Sequence, residues 1–138
     1  MEYQDCTSLT AMFFQQAEQL GDKPFLWAKR DGIYHSLSWR EVAARVSRLA
    51  RGLAHMGIDA GDRVVLVAES RPEWLIADMG IMAAGGVTVP AYTTNTVADH
   101  LHIFNNSGAK AVIVSTAALT ERVVAAAVQA AHLPAVIT

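Results

Sequence analysis

The stretch from Arg63 to Tyr92 constrains this chain more than any other. Between Trp74 and Ala84 the sole charged residue is Asp78. A helix of that composition has almost no side to turn to water, so it has to be covered on nearly every side. Ser70, with Glu73 three residues later, fits a capping box, and Pro72 falls in the first turn, where its missing N–H costs nothing. Gly85 or Gly86 supplies a left-handed stop. Val87, Thr88 and Val89 are β-branched and suit a strand, which Pro90 is expected to end. Arg63–Ala68, ahead of the helix, is equally strand-like. Strand, helix and strand in this order predict a βαβ unit with parallel strands and a right-handed crossover.

The rest of the chain repeats that alternation. Leu9, Met12, Phe13, Ala17 and Leu20 recur at helical spacing, so Ser8–Leu20 is expected to be a helix stopped by Gly21. Phe25–Lys29 and Ile33–Leu37 flank Arg30-Asp31-Gly32. Asp-Gly favours a type I′ turn, which predicts a β-hairpin. Ser38 and Glu41 form a second capping pattern, opening a helix to about Met56 whose stripe is Trp39, Val42, Val46, Leu49, Ala50 and Leu53. Arg40, Arg45, Arg48 and Arg51 lie off that stripe. They read either as a cationic face for phosphate or lipid, or as a solvated face with Glu41–Arg45 as an i,i+4 pair. Thr96 with Asp99 predicts a short helix ending near Ser107-Gly108. Ala111–Ser115 predicts another parallel strand, Leu119–Ala131 a further helix and Ala135–Ile137 a last strand. The expected fold is α/β, a mainly parallel sheet with helices on both faces plus the N-terminal hairpin.

Several function classes are disfavoured. A net charge of −2 gives no general attraction for nucleic acid. Cys6 is the single cysteine, so neither an intrachain disulfide nor a cysteine metal site can form. No apolar run reaches the ~18 residues of a membrane-spanning helix. Met1–Asp5 is acidic and polar, unlike the basic start of a secretory signal, and a cytoplasmic location is expected. Gly52-Leu53-Ala54-His55-Met56-Gly57 has the glycine spacing of a phosphate loop, but Ile58-Asp59 follows where Lys-Ser/Thr is needed. Neither G-x-G-x-x-G nor G-x-S-x-G occurs. His100 and His102 stand two apart, on nearly opposite sides of a helix, which disfavours joint metal ligation. Asn105-Asn106-Ser107 matches a glycosylation pattern without any other sign of secretion. Glu69, Glu73 and Asp78 are close in sequence but do not read as an acid/base pair. The residues by themselves therefore give a domain with no reaction centre: catalytic, none; metal, none.

The ordered series of short motifs is more specific. Leu37-Ser38-Trp39-Arg40-Glu41-Val42, Leu49-Ala50-Arg51-Gly52-Leu53, Gly57-Ile58-Asp59-Ala60-Gly61-Asp62-Arg63-Val64 and Arg71-Pro72-Glu73-Trp74 follow one another. Ala83-Ala84-Gly85-Gly86-Val87-Thr88-Val89-Pro90 and Ser107-Gly108-Ala109-Lys110-Ala111-Val112-Ile113-Val114 continue them. From Ser8 to Ser115 the chain resembles the start of AMP-forming acyl-CoA synthetases, and Val89-Pro90-Ala91-Tyr92-Thr93-Thr94 resembles their long-chain fatty-acid branch. The resemblance implies residues 1–138 as the N-terminal portion of an adenylate-forming (AMP-binding) domain, with no second domain. It implies that the parent enzyme joins a fatty acid to CoA through an acyl-adenylate, using ATP, Mg and CoA. The phosphate loop and catalytic lysine of such enzymes have no counterpart here, so this stretch alone is expected to be inactive and to bind no cofactor. By the same resemblance, Tyr92, Thr93 and Thr94 occupy a loop that borders the CoA nucleotide, and Arg122 lies near an arginine that meets its phosphate. A location in the cytoplasm, with the parent peripheral to the inner membrane face, follows from the resemblance too.

A competing reading is a stand-alone binding or interaction module derived from that half-domain. A βαβαβαβ series closing one residue past an apolar strand is expected to be the first part of something longer. Its apolar helices and the short edge at Ala135–Ile137 would then lack their cover. The chain alone is expected to self-associate, most simply as a symmetric dimer. Light scattering over a range of concentrations tests this, and a monodisperse monomer at ~100 μM contradicts it.

Overall fold

A computed structural model describes residues 6–132 and 134–138; the acidic start 1–5 lies outside them. The elements run α1 (Leu9–Leu20), β1 (Pro24–Arg30), β2 (Ile33–Ser38), α2 (Trp39–His55), β3 (Arg63–Val67), α3 (Pro72–Ala83), β4 (Val87–Ala91), α4 (Val97–Ser107), β5 (Ala111–Val114), α5 (Ala117–Ala127) and β6 (Ala135–Ile137). β1 and β2 form the antiparallel hairpin. The other four strands make a parallel sheet in the order β4-β3-β5-β6. The hairpin turn works as its sequence demands. Asp31 and Gly32 both take positive φ, 51° and 82°, the pair of values a type I′ turn requires.

Alternation along the strands divides the core into layers. Val65, Val67, Val112 and Val114 face Phe104 of α4 with Leu119 and Val123 of α5. Val64 and Ala111 face the other way, against Ile81 of α3 and Leu53 of α2. A third cluster lies beyond α3, where Ile76 and Met79 meet Val42 and Val46 of α2, Phe13 of α1, and Phe25 and Leu37 of the hairpin. Phe25 stacks on Trp39 with ring centroids 3.6 Å apart. The apolar α3 thus lies between the sheet on one side and α2 with the hairpin on the other, and the chain itself provides its cover.

The caps show which local signals prevailed. Ser38 and Glu41 make the full reciprocal box, and so do Thr96 and Asp99. Glu41 turns its carboxylate back to the Ser38 N–H (2.7 Å), so the expected Glu41–Arg45 ion pair does not form among the described residues. The expected Ser70–Glu73 box is corrected as well. α3 starts one residue later, with Arg71 as its cap and no capping side chain. The Glu73 carboxylate instead accepts from Arg71 Nε at 2.9 Å and faces Arg30 at 3.6 Å. Two arginines thus engage the Glu73 carboxylate, and the bond from Arg71 is a charge-assisted one. Pro90 does not end its strand, because β4 pairs on one side only and an edge strand tolerates a missing donor. α5 stops at Ala127 rather than Ala131. Past it, the Ala131 N–H donates to Asn105 Oδ1 at 2.8 Å, which gives the asparagine of the glycosylation-like triplet a structural use.

The amino ends of the sheet are densely tied. Arg63 donates from Nε to the Ser107 carbonyl (2.7 Å) and from Nη2 to the Gly108 carbonyl (3.1 Å). Lys110 Nζ meets Asp62 at 2.6 Å, and the Val87 N–H donates to the Asp62 carbonyl at 2.7 Å.

The contact of α3 with α2 is set by Gly80. A Cβ built there would stand 2.5 Å from Leu49 Cδ2 and 2.8 Å from Leu49 Cγ, closer than side chains approach. Gly80→Ala is expected to destabilise the fold by about 1 kcal/mol: about 1–3 kcal/mol of overpacking, partly offset by the helix preference of alanine. Urea midpoints read the effect, and Leu49→Ala in the same chain should recover part of the Gly80→Ala loss. A Gly80→Ala chain as stable as the parent contradicts the close approach.

Candidate functional site

Because the four strands are parallel, the loops after β3, β4 and β5 emerge at one end of the sheet. The chain order also reverses there: β4 lies on one side of β3 and β5 on the other. In open α/β sheets the crevice beyond such a reversal is where ligands bind. Across it, Ser115 Oγ donates to Glu69 Oε2 at 2.5 Å, joining the loop after β3 to the loop after β5. This bond, more than any other contact, holds the Glu69 carboxyl below its usual range.

Two grooves flank the tie. One, of about 430 Å³, runs between Ala68–Ser70, Trp74 and the Pro90–Thr93 segment. The other, of about 380 Å³, is lined by Lys29, Arg30, Glu69, Arg71, Glu73 and Thr116. Tyr92 stands in the wall of the first and is 80% exposed, an unusual position for a large ring. Thr93 is half-buried beside it and Thr94 is exposed. The Asn95 N–H donates to the Tyr92 carbonyl at 3.2 Å, closing the loop into a turn.

Arg122 reaches this loop from α5. Its Nη1 donates to the Thr93 carbonyl at 3.3 Å and to the Asn95 carbonyl at 3.2 Å. The structure therefore brings Tyr92, Thr93, Thr94 and Arg122 together, with Arg122 as a brace on the loop backbone. Below them, in the first turn of α4, lies His100. It is fully buried, and neither ring nitrogen has a hydrogen-bond partner. Burial first, and the nearby Arg122 charge second, push its pKa below the ordinary 6.5, while Asp99 pulls the other way. His102, two residues on, is exposed.

Chemically, this end of the sheet is equipped to bind. The Tyr92 ring stands open to solvent, and aromatic faces stack readily on planar groups. One guanidinium nitrogen of Arg122, Nη1, is engaged by the loop carbonyls. No group of three or more His, Cys, Asp or Glu side chains is placed to hold a metal ion among the described residues. Neither the Glu69–Ser115 tie nor the bracing role of Arg122 was visible in the sequence. Each joins positions far apart in the chain, 46 residues for the first. The burial of His100 had one available signal, its place one turn before Phe104 on the apolar side of a short helix.

Comparison with known proteins decides the family. The family described as AMP-binding enzyme matches residues 13–138. The chain belongs to that family. Within it, the chain is similar to the long-chain-fatty-acid–CoA ligase FadD15 of Mycobacterium tuberculosis, 32% identical over 79% of this chain and 18% of that protein. It is also similar to the long-chain-fatty-acid–CoA ligase ACSBG2 of Xenopus laevis, 26% identical over 91% of this chain and 17% of that protein. The chain thus spans about a fifth of the length of these AMP-binding relatives. Among solved structures, a benzoate CoA ligase from Burkholderia xenovorans superposes with a TM-score of 0.80 at 28% identity, covering 94% of this chain and 25% of the ligase. The parallel sheet with its hairpin is accordingly the fold seen in adenylate-forming enzymes.

The buried neutral histidine gives this chain a pH signature. His100 has a folded-state pKa below its unfolded value, so the unfolded chain takes up the proton first as pH falls. Its contribution is complete above about 6.5 and is lost as pH drops through the folded value. The lowered carboxyls of Glu41, Asp62, Glu69, Glu73 and Asp99 act in a lower window, below their ordinary values near 4. Urea midpoints should therefore fall between pH 7.5 and pH 5.5, and His100→Leu should flatten that decline. An unchanged slope in His100→Leu rules out the assignment.

Proposed function

We propose that residues 1–138 are the N-terminal portion of the AMP-binding domain of a long-chain fatty-acid–CoA ligase. The observation that carries this is the 32% identity to the Mycobacterium tuberculosis ligase over 79% of the chain. In the whole enzyme a fatty acid carboxylate attacks ATP to give the acyl-adenylate and diphosphate. The CoA thiol then displaces AMP to give acyl-CoA. ATP, Mg and CoA are cofactors and substrates of that parent, which we place in the cytoplasm at the inner membrane face.

The part assigned to this chain is the border of the CoA nucleotide. Tyr92 supplies a ring for the base, Thr93 lines the groove beside it, Thr94 continues the loop, and Arg122 holds the loop that carries all three. Arg122 is a positioning residue in this reading, because its guanidinium meets loop carbonyls. The 138-residue chain has no phosphate-cradling loop, so it forms no acyl-adenylate by itself.

Diphosphate release tests both halves. The 138-residue chain should release none from ATP and a long-chain fatty acid, whereas a chain extended to the length of the relatives should release it. In the extended chain, Arg122→Met should raise KM for CoA and leave the first half-reaction, read as ATP–diphosphate exchange, unchanged. Diphosphate release by the short chain, or none by the extended one, would sink the proposal. Loss of exchange in Arg122→Met would instead remove only the assignment of Arg122.

A further inference from the structure

The hairpin and α2 border a small basic cavity that adjoins the second groove through Arg30 and Pro72 but lies apart from the Tyr92 loop. Across the hairpin, Ala28 lies opposite His35 and Arg30 lies opposite Ile33, so Arg30 and His35 share one face. Arg45 comes to that face from α2. These three side chains, over an apolar floor of Leu26, Leu37 and Pro72, line a cavity of about 90 Å³. No carboxylate lines it.

The cations there are poorly neutralised. Arg30 stands 3.6 Å from Glu73, and the two side chains are 66% and 41% exposed. A pair that long and that wet contributes little. Glu73 is in any case held more closely by Arg71, at 2.9 Å. The acid nearest to Arg45 along α2 is Glu41, whose carboxylate is bonded to the Ser38 N–H. The side chains of His35 and Arg45 make neither a hydrogen bond nor an ion pair among the described residues, and the Glu41 carboxylate attracts Arg45 only through space. A recess lined by one sign of charge concentrates the opposite sign.

We propose that Arg30, His35 and Arg45 form a binding site for a single tetrahedral oxyanion, the phosphate of a phosphomonoester or inorganic phosphate itself. Sign, donors and size all select that class. Guanidinium groups present planar donor pairs that match phosphate oxygens, and the imidazole adds a third donor. The volume of about 90 Å³ suits one phosphate group and falls well short of a pocket of about 300 Å³ that encloses a whole small-molecule ligand. The site is separate from Tyr92 and Arg122 and does not depend on the ligase reading. Free phosphate and a lipid headgroup offer the same chemistry here.

Amide NMR shifts of the 138-residue chain, titrated with inorganic phosphate at constant ionic strength, test the free form. Sedimentation with phosphatidylcholine vesicles, with and without phosphatidic acid, tests the lipid form. Saturable shifts centred on His35 and Arg45, or binding that requires phosphatidic acid, should weaken about tenfold in Arg45→Gln, the loss of one charge-assisted bond. His35→Gln, at an exposed position, should weaken it in the same direction and guards against misfolding of the first variant. Arg51→Gln removes the same charge from the same helix outside the cavity and should leave binding unchanged. Saturation in the first arm assigns free phosphate, and in the second alone a headgroup. Absence of saturable binding in both arms, or equal weakening by Arg51→Gln and Arg45→Gln, overturns the site.

Discussion

The structure depends on finding cover for a helix that has no wet side. α3 meets the sheet through Ile81 and meets α2 and the hairpin through Ile76 and Met79. Glycine at position 80 lets the Leu49 side chain come within what would be a methyl group's space. This close approach brings the second layer, α2, against α3. α2 then carries Trp39, on which Phe25 of the hairpin stacks, and the hairpin is fixed in turn. Removing the cover from α3 would expose Ile76 and Met79 together, a loss of about 1.5–3 kcal/mol for each side chain.

Much of this order could be read from the residues in advance. The Asp31-Gly32 turn, the two reciprocal capping boxes and the β-branched strands are local, and local physics is written locally. The failures came where a distant group competed. Glu73 left its capping role because Arg71 and Arg30 offered it charge. Pro90 stayed in its strand because nothing pairs with the outer side of β4, and strand order cannot be read from one strand. The expected continuation of α5 through residues 128–131 failed as well: Gln129 and Ala130 bond back three residues, to Ala126 and Ala127, and the Ala131 N–H goes to Asn105 on another helix. The candidate site was legible as a loop but not as a braced loop. Tyr92, Thr93 and Thr94 were identified through resemblance, while the bond from Arg122 to their backbone exists only after α5 has packed beside α4.

The two ends of the sheet differ in what holds them. At the carboxyl ends a side-chain bond, Ser115 to Glu69, crosses the reversal, and the loop after β4 relies on Arg122. Loops held by a few bonds around grooves of several hundred Å³ can adjust to a ligand without disturbing the layers beneath. Family membership fits this division. The sheet and its helices are shared with a relative named for a different acid, benzoate.

At the amino ends, Arg63 clasps the carbonyls of Ser107 and Gly108 while Asp62 receives Lys110 and the Val87 N–H. Mechanically this is a rivet at the base of a fan. Force applied along the strands from the loop end would spread the tips before it parted the base. Insertions beyond Ala68, Tyr92 or Ser115 would be absorbed as longer ribs, whereas one extra residue between Gly61 and Arg63 would pull the rivet out. Lineages that share this sheet should vary at the open end and keep their spacing at the closed one.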